Sequence, residues 1–221
     1  MLFGEYDDRI FVTSVTPESL DQFLAFGYRH FGNLFFRSNT DVVRSNSIHN
    51  ILPLRIVLEN FKLSKSQKKT KQKNQDLIHY FEPLNITPEI EELFFNHRRR
   101  FKEHIPKSLF TFLGGEMNPT EIVQCIVRDG KKLVAASFLD LGKYSTSSIY
   151  GMFDLEYSKQ RLGIYTMLLE IEYSIQLNKI YYYPGYAYKE SSFYDYKKTF
   201  YGLEYLNWDE TKWLPYERIV N

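Results

Sequence analysis

The 221-residue sequence predicts an α+β fold: a mixed, mostly antiparallel sheet flanked by helices, with a smaller N-terminal α/β part packed on it. Three observations predict it. The tripeptide Thr-Pro-Glu occurs at Thr16 and again at Thr87, each time ahead of apolar residues at helical spacing. From Ile122 the pattern changes to apolar runs broken around Asp129-Gly130, a hairpin signal. An amphipathic stretch from Gly163 to near Asn178 is then followed directly by "KIYYYPG", which completes the order strand, strand, strand, helix, strand.

The first helix is set by "TPESLDQFLAFG". Thr16 caps, Pro17 suits the first turn, Leu20, Phe23 and Leu24 form one face, and Gly27 closes it. Short strands follow at 33–37 and at 51–58, where apolar residues alternate from Leu52 to Leu58. Residues 61–74, "FKLSKSQKKTKQKN", hold six lysines and no acid, and have no apolar face beyond Phe61 and Leu63, so they read as a solvated surface or flexible loop. A long helix is expected next, with Ile90, Leu93, Phe94 and Phe101 on one stripe before Pro106 ends it. The expected division is an N-terminal part, 1–105, and a C-terminal part, 106–221.

Composition narrows the function. The net charge of +1 means that any affinity for nucleic acid must come from a local cluster such as the lysine run. A lone cysteine, Cys125, excludes an intrachain disulfide, and His97 and His104 stand seven apart where a helical zinc pair needs four, so no metal is expected. No stretch of eighteen uncharged apolar residues occurs, and Glu5, Asp7 and Asp8 precede any apolar run; the expectation is a cytoplasmic protein with no membrane partner. Ten of the 18 tyrosines fall between Tyr173 and Tyr205, which suits a half-wet cleft wall.

Two stretches carry candidate chemistry. "SKQRLGIYTMLLEI", 158–171, follows a strand and opens a helix, the place where free N–H groups and the positive helix end attract phosphate or an oxyanion. It is close to the Q/R-x-x-G-x-G/A loop with which the acetyltransferase fold holds a cofactor pyrophosphate, but Tyr165 occupies the last small position and would crowd a pyrophosphate. A tight turn at Gly163 is the plainer reading. In "YYYPGYAYKESSFYDYKK", Tyr181 and Tyr183 face one way and Tyr182 the other, Pro184 and Gly185 break the ladder, and Tyr196 and Lys197 return toward the opening. An aromatic core strand followed by a surface turn explains the same residues equally well. Asp140 and Asp154 end strands as caps do, Glu172 is expected in solvent, and Glu170, on the face of Gly163, is expected to look into the sheet.

Taken in order, "GYRHFGNLFFRSN", "LPLRIVLENFKLSKSQKKTKQKN", "AASFLDLGKYSTSSIYGMFDLEYSKQRLGIYTMLLEI", "IYYYPGYAY" and "FYDYKK" resemble the aminoacyl-tRNA-protein transferases, the arginyl and leucyl transferases of the N-degron pathway. The resemblance spans about 27–198. It implies a GNAT-like fold and transfer of arginine or leucine from charged tRNA to the N-terminal α-amine of proteins beginning with Asp or Glu. Aminoacyl-tRNA is then a co-substrate, and no further cofactor is implied.

Carried onto this sequence, the family's Ser-Ser-x-Tyr strand falls on Ser147, Ser148 and Tyr150, its closing acid on Asp154, its helix start on Leu162, Gly163 and Tyr165, and its helix glutamate on Glu170. The aromatic strand and the Tyr-Lys pair fall on Tyr181 to Tyr183 and on Tyr196 and Lys197. The resemblance thus gives Tyr150, Asp154, Gly163, Glu170 and Lys197 as catalytic, and Ser147, Gln160, Arg161, Tyr165, Tyr182 and Tyr196 as substrate-binding. Lys62, Lys65, Lys68, Lys69, Lys71 and Lys73 are the tRNA contacts. In that scheme the N–H groups of Gly163 and Ile164 face the reacting carbonyl, and Lys197 or Arg161 meets the acceptor's acidic side chain. The paired cysteines that family members commonly carry near the N-terminus have no counterpart here. A coenzyme A N-acetyltransferase and a non-catalytic RNA- and protein-binding module remain the alternatives.

Overall fold

The computed structural model describes residues 6–43, 47–102, 105–115 and 118–217. The chain runs β1 (Asp7–Phe11), α1 (Pro17–Ala25), β2 (Arg29–Phe31), β3 (Leu34–Ser38), β4 (Thr40–Val43), β5 (Ser47–Val57), α2 (Lys65–Lys73), β6 (Ile78–Pro83), α3 (Pro88–His97) and α4 (Phe110–Leu113). It continues with β7 (Ile122–Asp129), β8 (Lys132–Leu141), β9 (Ser145–Phe153), α5 (Leu162–Gln176), β10 (Tyr181–Tyr188), β11 (Leu203–Asn207) and β12 (Lys212–Pro215).

The large sheet has the order β12-β11-β5-β10-β9-β8-β7-β6, with β4 also on β5, and a small sheet has the order β1-β3-β2. Every pairing is antiparallel except β9 with β10. The expected α+β architecture is therefore present. The division at residue 105 passes through one sheet, because β5 lies between β10 and β11, and β6 pairs with β7.

Local signals explain several elements. Thr16 accepts the Ser19 N–H ahead of α1, whose Leu20 and Leu24 are buried, and Thr87 does the same for Ile90 at α3. The β7–β8 turn sits one residue later than the Asp-Gly signal suggests. Asp129 pairs with Lys132, so Gly130 and Lys131 form the turn, with Gly130 at φ +56°. The helix expected to run to Pro106 stops at His97. Arg98–Arg100 form a 3₁₀ turn and Phe101 is extended, with the Arg98 guanidinium turned onto the carbonyls of Pro106 and Lys107.

The lysine run, expected as a solvated surface or flexible loop, forms a helix. Ser64 and Gln67 make a reciprocal capping box, and the buried stripe is polar: Gln67, Thr70 and Asn74. A fully buried apolar side chain is worth about 1.5–3 kcal/mol, and α2 has none, so polar contacts hold it against α5. Asn74 donates to the Gln160 carbonyl at 2.9 Å, Arg161 to the Ser66 hydroxyl at 2.7 Å, and Lys71 pairs with Glu172, which is only half-exposed.

Helix α5 covers one face of the large sheet, where Leu168 and Ile171 pack with Leu54, Ile56 and Tyr182. α3 and α4 cover the other, with Phe94, Leu113, Phe138 and Met152. Among the described residues no helix is long and apolar enough to cross a membrane.

The small sheet is tied to the large one through a buried ion pair. His30 Nε2 lies 2.8 Å from Asp140 Oδ2, Nδ1 lies 2.8 Å from the Gly32 carbonyl, and the Thr120 hydroxyl donates to Asp140 Oδ1 at 2.7 Å. Burial opposes charge on His30, but the Asp140 carboxylate more than offsets it and raises the pKa.

Gly202 marks the entry to β11. It has φ +72°, accepts the Val57 N–H at 2.8 Å, and a Cβ there would stand 2.7 Å from the Val57 carbonyl oxygen. Gly202→Ala is expected to destabilise the protein by about 2 kcal/mol, read as a lower denaturation midpoint; an unchanged midpoint would show that the turn relaxes freely.

Candidate active site

The site forms where β9 and β10 part. Their parallel ladder covers Tyr181 to Tyr183 and ends at Tyr183 opposite Ser147, while the β10–β5 register shifts between Tyr182 and Gly185. Pro184 has no N–H to offer and Gly185 adopts φ +96°, which breaks the ladder as the sequence suggests. In β9 a register irregularity between Phe138 and Leu139 places Ser148 toward α5 and Tyr150 toward α3 and α4. Ser148 and Tyr150 therefore face opposite sides of the sheet.

From the α5 side comes Glu170, which is 1% exposed. The Tyr182 hydroxyl donates to its Oε2 at 2.6 Å, and its Oε1 has no hydrogen-bond partner among the described residues. Burial raises its pKa to about 7, against the opposing pull of the Ser137, Tyr182 and Ser148 hydroxyls and of Arg29. Lys197 enters from the 3₁₀ turn Phe193–Thr199, which Ser192 and Asp195 cap reciprocally. Its Nζ donates to the Tyr186 carbonyl at 3.2 Å and lies 5.1 Å from the Tyr194 ring centre. Burial, then the Arg29 charge, lowers its pKa to about 7.

Arg29 enters from β2. Its Nη1 donates to the Ser147 hydroxyl at 3.1 Å and to the Tyr183 carbonyl at 3.5 Å, and its Nη2 donates to the Ser148 carbonyl. A Cβ on Gly185 would stand 3.1 Å from Lys197 Nζ and 3.6 Å from the Arg29 guanidinium carbon, so the bare glycine lets both cations approach the same backbone.

The rim is aromatic. Burial raises the pKa of Tyr186 and of Tyr196 to about 12. Arg100 lies over Phe153 at 5.2 Å and Phe193 at 4.8 Å. Among the described residues, Arg29, Lys197 and Arg100 have no carboxylate within ion-pair distance. Here a buried opening lined by cations stands beside one carboxyl group, Glu170, whose pKa burial raises.

Residues 62–207 match the family described as "Arginine-tRNA-protein transferase, C terminus". The chain belongs to the aminoacyl-tRNA-protein transferase family. Among its relatives are aspartate/glutamate leucyltransferases. That of Nitrosococcus oceani is 30% identical over 188 residues, covering 81% of this chain and 77% of the relative. That of Leptospira interrogans is 30% identical over 196 residues, covering 85% and 74%. A crystal structure of FemX shares the fold at TM-score 0.50 and 10% identity, covering 85% of this chain and 65% of that one.

The transferase brings some of the residues singled out from sequence together and separates others. Glu170, Tyr182, Ser147, Tyr196 and Lys197 meet at the opening. Tyr150 lies on the opposite face of the sheet, stacked on Phe112 at 4.2 Å, with a buried hydroxyl that has no partner among the described residues. Gln160 belongs to the seam beneath α2, where its carbonyl accepts from Asn74.

Four of the residues sit in settings that sequence reading did not expect. Tyr165 is a core residue, 3% exposed among Cys125, Val127, Leu162 and Leu169, because the first turn of α5 points it inward. The Ile164 N–H is bonded to the Arg161 carbonyl at 3.0 Å, and Gly163 faces the Phe153 ring, so this helix start is not an open pair of donors. Arg161, at φ +58°, reaches out to Ser66 and is no partner for a side chain beside Lys197. Asp154 caps the turn 155–160 through the Glu156 N–H and pairs with Lys132 at 2.8 Å, which gives it a structural task.

The lysines divide as well. Lys62 stacks over Tyr201 at 4.7 Å, Lys71 is paired, and Lys73 donates to the Lys159 carbonyl at 2.9 Å; Lys65, Lys68 and Lys69 remain exposed. Among the described residues no group of His, Cys, Asp and Glu is arranged to hold a metal. Sequence reasoning missed Arg29, Arg100, Tyr186 and Tyr194. Arg29 lies inside a stretch that carries the family resemblance, but its partners are more than a hundred residues away.

Proposed function

We propose that this transferase, on a GNAT-like sheet, moves an amino acid from the 3′ end of a charged tRNA to the N-terminal α-amine of proteins that begin with Asp or Glu. The observation that carries the reading is the set of cations without carboxylate partners around the β9–β10 opening, which suits an acidic acceptor. The names of its relatives point the same way. Leucine is placed ahead of arginine as the transferred residue, because Arg29, Lys197 and Arg100 would repel a guanidinium.

In the reaction the acceptor amine attacks the ester carbonyl, a C–N bond forms, the C–O bond to the terminal ribose breaks, and the amine's proton passes to the departing hydroxyl. The ester is already activated, so alignment and removal of that proton are what the protein must supply. Lys197, titrating close to an α-amine, is the group matched to accept it. The exposed Lys65, Lys68 and Lys69 would meet acceptor-stem phosphates, and Tyr196 or a neighbouring ring would stack on the terminal adenine.

The test incubates the protein with a mixture of charged tRNAs and an Asp-starting peptide and reads the added mass. One added leucine is the expected product, and one added arginine would reverse the order of donors. An acetyl group added to the peptide when acetyl-coenzyme A is supplied in place of the tRNAs, or protection of the tRNA ester without transfer, would replace the reading. Changing Lys68 and Lys69 together to Glu is expected to weaken tRNA binding and to lower its salt slope by roughly 1.5, since each neutralised phosphate adds about 0.7–0.9. An unchanged slope would remove α2 from the tRNA surface.

A further inference from the structure

We infer that Arg29 is the group that selects the acidic first residue of the acceptor, gripping its side-chain carboxylate through two parallel hydrogen bonds. The inference rests on the acceptor reading above and assigns it a residue.

A guanidinium removed from water needs a countercharge, and a cation without one is costly to the fold. Arg29 has its charged end turned inward, and burial lowers its pKa, yet its three hydrogen bonds go to neutral oxygens: the Ser147 hydroxyl and the carbonyls of Tyr183 and Ser148. The charges of Asp140 and Glu170 reach it, but neither forms an ion pair with it: Asp140 is bonded to His30 and Thr120, and Glu170, with one oxygen on Tyr182, has its pKa raised to about 7. What the fold leaves unbalanced at this position a substrate carboxylate would balance.

The geometry also specifies the ligand. A guanidinium has five N–H donors in one plane. The three bonds present use both Nη1 hydrogens and one on Nη2, fixing the plane end-on against β9 and β10. The Nε–H and the second Nη2 hydrogen remain, and together they form the side of the guanidinium that matches a carboxylate with two parallel bonds. A neutral amide of the same shape offers one acceptor where two are needed and brings no charge.

Arg29 suits this task better than Lys197. Its plane is held by three bonds, whereas Lys197 Nζ has one bond to a carbonyl and three rotatable hydrogens. The Lys197 charge is also partial near neutrality, where that of Arg29 is complete. The bare backbone at Gly185 keeps the two cations adjacent, so a carboxylate on Arg29 would bring its residue's amine beside Lys197.

The test is calorimetric titration, without tRNA, of two peptides that differ only in beginning with Asp or Asn. Wild type is expected to bind the Asp peptide about 100-fold more tightly. Arg29→Gln is expected to reduce that preference to a few-fold, Arg29→Lys to restore part of it, and Lys197→Met to keep most of it. Equal binding of the two peptides by wild type, or an undiminished preference in Arg29→Gln, would overturn the inference. Should Arg29→Gln fail to melt cooperatively, Lys197→Met decides: a retained preference supports Arg29 and a lost one transfers the role to Lys197. Asp preference with no transfer from any charged tRNA would sink the transferase reading and leave this carboxylate site standing. Transfer with no Asp preference would do the reverse.

Discussion

Lys197→Met is expected to lower kcat for transfer to an Asp-starting peptide by about 1000-fold at pH 7 while leaving KM for that peptide within a few-fold. The size follows from what a positioned proton acceptor contributes, about 100- to 10,000-fold. The amine of an incoming acceptor is largely protonated at pH 7, its pKa lying near 7.7–8.0, and only the neutral amine attacks. Lys197, depressed to about 7 by burial and by Arg29, holds enough of its own neutral form to take that proton. The wild-type rate should therefore rise with pH through about 7, and the variant should lose that limb and follow the free amine of the peptide alone. Steady-state kinetics over pH 5.5–9 would check it. If KM rose about 100-fold with kcat intact, Lys197 would be a binding group; if the acid limb survived, some other group would titrate there.

Where the sequence was informative, the deciding interaction is local. Thr16 and Thr87 cap helices within three residues of themselves, and Gly130 turns a hairpin whose strands are adjacent in the chain. Glu170 could be placed on the sheet side because helix period alone settles which face it shares with its neighbours. The failures have a common cause. α2 reads as loop since its buried stripe is Gln67, Thr70 and Asn74, and its support comes from the 160–161 segment and Glu172, far along the chain. Tyr165 fits a motif position by spacing, but spacing does not say that the first turn of α5 aims it at Cys125 and Leu169. Arg29 acquires meaning only when β2 is docked on the end of the β9–β10 ladder, a contact across 118 positions.

That docking also explains why the opening sits where it does. The parallel pair β9–β10 lies between antiparallel neighbours, and it is there that the ladder ends early. Glu170 arrives from α5, Arg29 from the small sheet and Lys197 from the turn after β10. The His30–Asp140 pair, one residue from Arg29, fixes the small sheet that carries it.

Glu170→Gln and Lys197→Met are expected to alter stability with opposite dependence on pH. Glu170 has its folded pKa raised to about 7 from an unfolded value near 4.3. Its protonated form therefore favours the folded state below about pH 4.3, and that contribution is lost as pH rises through about 7. Above that range the fold carries a buried carboxylate, a cost of about 4 kcal/mol that Gln avoids while still accepting from Tyr182. Lys197 is the mirror case, lowered to about 7 from an unfolded value near 10.4. Its cost is present in full below about pH 7 and disappears as pH rises toward 10.4. Denaturant midpoints measured at pH 5, 7 and 9 should thus show Glu170→Gln gaining most at pH 9 and Lys197→Met gaining most at pH 5. The two groups attract when both are charged, so each variant also removes part of the other's countercharge, and near pH 7 the gains should be smaller than either shift alone implies. Parallel pH profiles for the two variants would show that neither group changes its protonation between the folded and unfolded chain in the way the buried opening requires.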